Sequence, residues 1–252
     1  MKTITFHKND IHKGSLILIN KLYPLVCKEI GRNISMIPAY LQSPEILLEV
    51  KTAAVLTHLI GLLRCQEDIL PVSGYRSYEE QQRIYTDSLV RNGREFTEKY
   101  VALPDQSEHQ TGLAIDLALK QDNIDFIRPE FPYEGICNIF RERAPFHGFV
   151  ERYQRGKEEV TGIAHEPWHF RYVGYPHSVI MTENNLVLEE YMEIVKSYPY
   201  DGEHLITNMN QQTIEIFYVN ASSTLTEIEL PDDSIYQISG NNMDGFIVTL
   251  WW

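Results

Sequence analysis

The chain of 252 residues contains only three cysteines, Cys27, Cys65 and Cys137, and no two of them form a C-x-x-C pair. Such a sparse and odd set argues against a disulfide framework and against a cysteine-based zinc ribbon. It predicts buried apolar thiols in a reducing compartment. The sequence also lacks a glycine-rich phosphate loop, an internal repeat and a low-complexity segment, and its 43% hydrophobic content is that of an ordinary globular protein.

Positive charge is scarce as well, because 22 Lys and Arg face 35 Asp and Glu, a formal net charge of -13. Such an acidic chain is a poor partner for nucleic acids and anionic membranes, and we interpret the charge as a solubility feature. No apolar run approaches the ~20 residues of a membrane span. The first residues, MKTITFHKNDIHKG, contain no apolar signal-peptide core, so we expect a soluble cytoplasmic protein.

The hydrophobic patterns predict a mixture of strands and helices. Ser43 as N-cap and Pro44 in the first turn predict a buried helix over residues 44–64, and Ser77 with Glu80 predicts a capping box and a second helix through about Arg91. Two further helices are expected in YEGICNIFRERAPFHGF and TENNLVLEEYMEIVKSY. Strands are expected at KTITFH, SLILIN, ILPVSGYRS, GLAIDLAL and HEPWHFRYVG.

The composition changes after residues 198–204. TIEIFYV, LTEIEL, SIYQIS and FIVTLWW are short strand candidates separated by turn sequences, and no helical pattern appears among them. We therefore predict a main domain at residues 1–200 and a small antiparallel β appendage at residues 205–252. Homodimerisation, cover for the core and partner binding are all open as roles of the appendage.

The stretch SEHQTGLAIDL contains a candidate pair of metal ligands, His109 and Asp116. On a strand, Gly112, Ala114 and Asp116 share one face, and the small residues leave room for an ion against it. Asp116 would reach this ion from the strand and His109 from the preceding loop. The spacing alone is weak support, because a satisfied histidine and a buried, hydrogen-bonded aspartate are the commoner explanation of such a pair.

The stretch HEPWHFRY supplies a third candidate ligand. If residues 168–172 are extended, the side chains of His169 and Arg171 share one face and the aromatic residues between them form a core face. His169 then joins His109 and Asp116 in a set of imidazole and carboxylate ligands that suits zinc and leaves a position for water.

Glu166 lies three residues before His169 and is the candidate proton carrier. Zinc lowers the pKa of its bound water, and a nearby carboxylate can take the proton and return it to a leaving amine. Pro167 and Trp168 would help desolvate Glu166 and so raise its pKa. His165, which adjoins Glu166, is a weaker candidate for the surroundings of the site.

Arg76 in SGYRSYEEQ lies at a predicted strand-to-helix turn, where ligand contacts are common. A guanidinium there could stabilise the oxyanion that forms when hydroxide attacks a peptide carbonyl. A surface arginine in a salt bridge is the alternative that the local sequence leaves open. The segment KQDNIDFIRPEFPYEG, residues 120–135, either overhangs the site or is an inert surface excursion.

Taken in order, SGYRS, SEHQTGLAID and EPWHFRY resemble the D-Ala-D-Ala zinc metallopeptidases, the carboxypeptidases and dipeptidases of peptidoglycan metabolism. Within this family the chain looks most like the VanXY-type enzymes of vancomycin-resistant enterococci, in the branch linked to precursors ending in D-Ala-D-Ser. The resemblance covers residues 40–195, and the segment from about 205 lies outside the family pattern. It implies an α+β fold of the lysostaphin and hedgehog type, in which a small antiparallel sheet carrying zinc is flanked by helices.

The resemblance also implies roles for particular residues. Zn²⁺ would be held by His109, Asp116 and His169, with Glu166 as catalytic acid/base. Arg76 would stabilise the carbonyl oxygen in the transition state, and Ser107 and Gln81 would contact the substrate near its C-terminal D-residue. The main domain would then be a cytoplasmic D,D-peptidase that hydrolyses D-Ala-D-Ala and trims the UDP-linked pentapeptide, and so confers glycopeptide resistance.

Two alternatives stay open at the level of sequence. An L,D-carboxypeptidase or a cell-wall endopeptidase of the same superfamily would carry the same metal motifs, because these set the chemistry and not the stereochemistry of the pocket. A non-enzymatic, hedgehog-like zinc module is the other, although Glu166 argues against it. The sequence does not set the balance between dipeptidase and carboxypeptidase activity, or the preference for D-Ala over D-Ser.

Overall fold

The structure, a computed structural model, describes residues 1–26, 36–40, 43–221 and 223–252, with side chains described at all of these positions except 36–38 and 40. These residues group into two compact units, one formed by 1–18 with 188–252 and the other by 19–187. Cys65 and Cys137 are buried free thiols, as predicted, and Cys27 lies outside the described residues. Among the described residues, none of the helices combines the length and apolar character needed to cross a membrane.

The secondary structure consists of twelve strands and seven α-helices in the described part of the chain. The strands are β1 (Lys2–His7), β2 (Met36–Tyr40), β3 (Ser43–Glu49), β4 (Ile69–Ser73), β5 (Ala114–Leu119), β6 (Phe149–Tyr153), β7 (Glu166–Tyr172), β8 (Leu205–Met209), β9 (Gln212–Asn220), β10 (Leu225–Leu230), β11 (Ile235–Gly240) and β12 (Gly245–Trp251). The helices are α1 (Val50–Leu63), α2 (Tyr78–Asn92), α3 (Arg94–Tyr100), α4 (Gly135–Arg143), α5 (Glu158–Thr161), α6 (His177–Glu183) and α7 (Leu188–Lys196).

The unit of residues 19–187 is built on an antiparallel sheet with the strand order β4-β5-β7-β6. Its central strand β5 is buried on both faces, from Ala114 to Ala118. Helix α1 buries a stripe at helical spacing, formed by Ala53, Leu56, Leu59 and Ile60, as an amphipathic helix does. The predicted α+β class, with a small antiparallel sheet flanked by helices and further strands at the C-terminus, is confirmed.

The helix predicted over residues 44–64 is wrong at its start. Residues Ser43–Glu49 form β3, which pairs with β2, and the helix begins only at Val50. Glu49 is the N-cap, because its carboxylate accepts hydrogen bonds from the backbone N–H groups of Lys51 and Thr52. Pairing with the preceding strand β2 thus overrides the local helical pattern.

Other predicted elements met different outcomes. The capping box of Ser77 and Glu80 at the start of α2 is confirmed. SLILIN is not a strand: Leu16 and Leu18 are buried, but their N–H groups donate to Ser239 Oγ (2.9 Å) and Asn241 O (3.0 Å). The helix predicted in TENNLVLEEYMEIVKSY is broken into the end of α6 and α7, because the chain turns at Asn185 with φ of 52°.

The unit of residues 1–18 and 188–252 contains the sheet β11-β12-β9-β8 and the pair β1-β10. The four predicted C-terminal strands are present, and β8 is an additional one. Phe6 of β1 stacks on Phe246 of β12 with ring centroids 4.6 Å apart, within a shared apolar cluster. This grouping differs from the predicted boundary near residue 200, because burial of β1 and α7 against the C-terminal strands draws both elements into this unit.

Candidate metal and active site

Adjacent strands bring two of the predicted ligands together. Strands β5 and β7 are antiparallel neighbours whose register sets Asp116 directly opposite His169, so both side chains point to the same face. His109 comes from a 3-10 turn, Glu108–Thr111, and Gly112, with φ of 72°, turns the chain from it toward β5. Ligand atoms of His109, Asp116 and His169 all lie within 4.8 Å of one another, and all three residues are buried.

The distances within this triad fit a single ion. His109 Nε2 lies 3.2 Å from Asp116 Oδ2, and His169 Nδ1 lies 3.0 Å from Asp116 Oδ1. The two imidazole rings stand nearly perpendicular, at 87°, with centroids 4.9 Å apart. Two imidazole nitrogens and one carboxylate oxygen are the set that an open, catalytic zinc site uses.

Hydrogen bonds at the far side of each ring select the nitrogen that faces the triad. His109 Nδ1 donates to the carbonyl oxygen of Gly74 at 2.7 Å, which leaves the Nε2 lone pair directed at Asp116. A side chain at Gly74 would collide with the carbonyl oxygen of Leu47, so a glycine allows this close packing. His169 Nε2 lies 3.3 Å from Glu108 Oε2, and its Nδ1 therefore faces Asp116.

Glu108 is a member of the site that sequence reasoning missed. Its buried carboxylate accepts hydrogen bonds at 2.8 Å from Arg152 Nε and from Arg171 Nη1. Burial alone would raise the pKa of Glu108, but the two arginines and His169 outweigh it and hold the pKa well below its usual range. The sequence contained one indication of this residue. Arg171 was predicted to share the face of His169, and a buried arginine needs an acidic partner.

The charges of the triad fit a bound cation. Asp116 Oδ1 is buried, and its 3.0 Å contact with His169 Nδ1 lacks hydrogen-bond geometry, so this oxygen has no hydrogen-bond partner among the described residues. Burial lowers the pKa of His169, but Asp116 and Glu108 outweigh this effect and raise it to about 9. Burial lowers the pKa of His109 to about 4, so its lone pair stays available. A divalent ion would satisfy Asp116 Oδ1 and replace the proton that the carboxylates draw to His169.

Glu166, the first residue of β7, lies beside the triad. Its Oε2 is 3.8 Å from His169 Nδ1, and the side chain is buried. Burial is the main cause that raises the pKa of Glu166 to about 8. The sequence predicted this direction from the neighbouring Pro167 and Trp168. A carboxyl group with a pKa near neutrality can both take up and release a proton.

Arg76 lies at the edge of the triad. Its Nη2 donates to Asp116 Oδ2 at 2.9 Å, and its Nε donates to Ser73 Oγ at 2.8 Å. Burial lowers the pKa of Arg76, while Asp116 and Glu166 oppose this effect. Arg76 is therefore not the exposed surface arginine that the local sequence left open.

The two predicted substrate contacts, Gln81 and Ser107, are both buried. Gln81 Nε2 donates to Ala102 O at 2.7 Å, and its Oε1 accepts from Arg76 Nη1 at 3.4 Å. The hydroxyl of Ser107 has no hydrogen-bond partner among the residues that the structure describes. Of the two, Ser107 is thus the one with a polar group available to a ligand.

These residues line one cleft. Phe126 and Ile127, from the segment 120–135, also line it, and the guanidinium of Arg76 lies 5.7 Å from the ring centroid of Phe126. This segment is therefore part of the cleft wall and not an inert excursion. His165 points elsewhere, since its Nε2 is 2.6 Å from the hydroxyl of Tyr133.

Comparison with known proteins agrees with this geometry. A family model described as VanY, D-alanyl-D-alanine carboxypeptidase, matches residues 46–175. The chain is 40% identical over 179 residues to the bifunctional D-Ala-D-Ala dipeptidase and D-Ala-D-Ala carboxypeptidase VanXYC of Enterococcus gallinarum, covering 71% of this chain and 93% of that protein.

Two solved structures extend the comparison. The vancomycin resistance D,D-dipeptidase VanXYg, in complex with a D-Ala-D-Ala phosphinate analogue, aligns with a TM-score of 0.95 and 52% identity over 100% of this chain and 99% of its own. A mutant of the D,D-pentapeptidase VanY from a VanB-type resistance cassette, in complex with Zn(II), aligns with a TM-score of 0.56 and 28% identity over 71% of this chain and 98% of its own. The chain therefore belongs to the VanY D-alanyl-D-alanine carboxypeptidase family.

Proposed function

We propose that this protein is a zinc-dependent D,D-peptidase that hydrolyses D-Ala-D-Ala and removes the terminal D-Ala from peptidoglycan precursors, and thereby confers glycopeptide resistance. One observation carries the proposal: a buried His-Asp-His triad lies beside a buried Glu166 whose pKa is raised to about 8. The related VanXYC is named as both a dipeptidase and a carboxypeptidase, which supports both activities for this chain.

Zinc bound by His109, Asp116 and His169 would lower the pKa of its water toward neutrality and polarise the scissile carbonyl. Gly74 O and Glu108 Oε2 hold the two imidazoles in the orientation that this binding requires.

Glu166 is proposed to carry the proton. Its carboxylate would accept a proton from the attacking water and deliver it to the nitrogen of the departing D-Ala. The raised pKa supports both halves of this transfer, because the group lies close to balance between its two protonation states near neutral pH.

Arg76, Ser107 and Gln81 are proposed to orient the substrate. The buried positive charge of Arg76 beside Asp116 supports a role in stabilising the carbonyl oxygen as it becomes negative. Ser107 offers a hydroxyl to the C-terminal D-residue. Gln81 links the guanidinium of Arg76 to the backbone carbonyl of Ala102 and also lines the cleft.

The proposal is tested by measuring the zinc content of the purified protein and the D-Ala that it releases from two substrates. D-Ala-D-Ala reports dipeptidase activity, and an N-acylated peptide ending in D-Ala-D-Ala reports carboxypeptidase activity. We expect about one zinc per chain and release of D-Ala from both. Treatment with a chelator should abolish both activities, and added zinc should restore them.

A matched panel of L,D-peptides separates this function from that of an L,D-carboxypeptidase. Preferential cleavage of the L,D series would contradict the proposed stereochemistry. Stoichiometric zinc without hydrolysis of any peptide would instead favour a binding module.

A further inference from the structure

We propose that Arg141, held by Glu151, is a positioning residue that fixes the backbone next to Glu166 against the end of the cleft-lining segment 120–135. The inference deepens the proposed function, on which it rests. It assigns a role to a buried ion pair whose side chains do not line the cleft.

Arg141 ties three parts of the chain together. From helix α4, its Nη2 donates to Phe131 O at 3.1 Å and to Pro167 O at 3.0 Å. Its Nη1 donates to Pro132 O at 3.2 Å, and a longer contact of 3.5 Å joins Nη1 to the carbonyl oxygen of Cys137 in the same helix. One side chain thus connects α4, the end of the segment 120–135 and the start of β7.

Glu151 on β6 fixes the orientation of the guanidinium. Its Oε2 accepts from Arg141 Nε at 2.5 Å, and both side chains are largely buried. The other carboxylate oxygen accepts from the hydroxyl of Tyr133 at 2.5 Å. Arg141 also lies 3.9 Å from the ring centroid of Tyr133, so its charge is paired on one side and stacked on the other.

The contact with Pro167 O lies where the sheet holds β7 least. Pro167 has no N–H to donate, and the β6–β7 register shifts between Glu151 and Tyr153, so that Tyr153 pairs with Glu166 and Glu151 pairs with Phe170. Residues 167–169 of β7, which lie between these two pairs, have no regular partners on β6. Arg141 supplies a tie at this gap.

This tie matters to Glu166 because the carboxylate has little else to hold it. Among the described residues, no hydrogen bond holds the Glu166 side chain, and its ion-pair contact with His169 is as long as 3.8 Å. Its position is therefore set by the backbone of Glu166 and Pro167. A displacement of about 1 Å at a reacting group can cost on the order of 100-fold in rate.

The segment 120–135 is fixed by the same guanidinium. Phe131 is buried against Phe140 and Phe170, and the Phe131 and Pro132 carbonyls accept from Arg141. Phe126 and Ile127, upstream in this segment, line the cleft. One arginine thus holds both the backbone beside the proton carrier and the end of the segment whose upstream residues line the cleft.

The test compares Arg141→Lys with Arg143→Lys. A lysine at 141 keeps the charge opposite Glu151 but has no planar fork to reach several carbonyls at once. Arg143 lies in the same helix and is exposed, so its substitution is the matched control. We expect Arg141→Lys to lower kcat about 10-fold or more, to leave KM within about 3-fold, and to retain zinc. Arg143→Lys should behave as the wild type does.

Hydrogen exchange gives a readout that does not depend on activity. In Arg141→Lys, peptides spanning residues 126–134 and 164–170 should exchange faster, while peptides from α1 should not change. Unaltered exchange in both segments, or a fall in kcat that only follows loss of zinc, would overturn the inference. If the wild type cleaves no peptide at all, the proposed function fails and the exchange data alone decide the role of Arg141.

Glu151→Gln is the second variant, in case Arg141→Lys does not fold. The amide oxygen can still accept from Arg141 Nε, but the charge that orients the guanidinium is lost. We expect the same changes in kcat and exchange, of smaller size. Wild-type kcat and exchange in a folded Glu151→Gln protein would contradict the orienting role of the ion pair.

Discussion

The two four-stranded antiparallel sheets of this protein both bury apolar side chains, but they differ in the charge that is buried with them. The sheet β4-β5-β7-β6 buries ionisable groups on or beside its strands, among them Glu108, Asp116, Glu166 and Arg171. In the unit that contains the sheet β11-β12-β9-β8, the cluster is apolar, with Phe217, Val219, Phe246, Val248 and Leu250 at its centre.

This difference affects how much each sheet contributes to the stability of the fold. Burying charge costs several kcal/mol per ion unless partners compensate for it, so a sheet that does this sacrifices stability to hold a site. Apolar burial contributes roughly 25 cal/mol per Å², and nothing in such a cluster needs a ligand. In the unit of residues 1–18 and 188–252, the buried polar residues are all uncharged: Ser239, Asn241, Asn242 and Thr249.

The largest expected effect removes the proton carrier from the charged sheet. Glu166→Gln should lower kcat by about 100- to 10,000-fold, because general acid–base catalysis contributes that much. Zinc content should not change, since Glu166 is not one of the three proposed ligands. Rates of D-Ala release and metal analysis of the same sample test this, with the exposed Glu159→Gln as control. Near-normal turnover of a zinc-loaded Glu166→Gln protein would contradict the assignment.

Glu108→Ala should show that the charged sheet also needs its buried partners. The change leaves Arg152 and Arg171 without this carboxylate, and loss of one partner of a buried pair costs about 3–5 kcal/mol. Loss of the hydrogen bond to His169 should weaken zinc binding about 10- to 100-fold. Urea unfolding and zinc competition measure the two effects. Glu108→Gln keeps the shape and an acceptor oxygen and should lose less on both counts. Losses equal to those of Glu108→Ala would instead mean that the negative charge alone carries both effects.

The apolar cluster should respond in stability alone. Leu250→Ala should lower the free energy of unfolding by about 2–5 kcal/mol, as expected for a buried leucine. All residues assigned to the site lie within 19–187, so kcat and zinc content of the folded protein should stay unchanged. The half-exposed Leu225→Ala is the matched control, with an expected loss below about 0.5 kcal/mol. A selective loss of kcat in Leu250→Ala would break the division between the two sheets.

The smallest expected effect concerns Asp244, a partly exposed charge in the unit of residues 1–18 and 188–252. Asp244 accepts from Lys196, Asn241 and Tyr218, and these bonds outweigh burial and lower its pKa below the ordinary value of 3.8. Its contribution, below about 1 kcal/mol, is therefore present above pH 3.8 and lost as the pH falls through the lowered pKa. Unfolding of Asp244→Asn and wild type should differ at pH 7 and converge in acid. A difference that persists in acid would assign the effect to packing.

Local patterns predicted the elements around the site with few errors. The capping box at Ser77, the strand at GLAIDLAL and the strand at EPWHFRY are all confirmed, because residue type and the alternation of side chains indicate each of them within a short segment. The predictions for the start of α1 and for the SLILIN segment were wrong because hydrogen bonds to other segments decide their conformations. Ser43–Glu49 pair with β2, the strand that precedes them, and the backbone of SLILIN bonds to Ser239 and Asn241 near the other end of the chain.

The site itself divides in the same way. The motifs around His109, Asp116 and His169 are legible in the chain, since their residue types and alternation indicate both the metal chemistry and the face on which it occurs. The ion-paired cluster of Glu108 with Arg152 and Arg171 was not predicted, because it forms only when segments far apart in sequence lie side by side. Nor was the contact between Arg141 and Pro167 O, which joins residues 26 positions apart. The sequence by itself thus determined the ligand types and their spacing, because these lie in short segments. Only the tertiary structure decided how the buried charges are paired, because their partners come from separate segments.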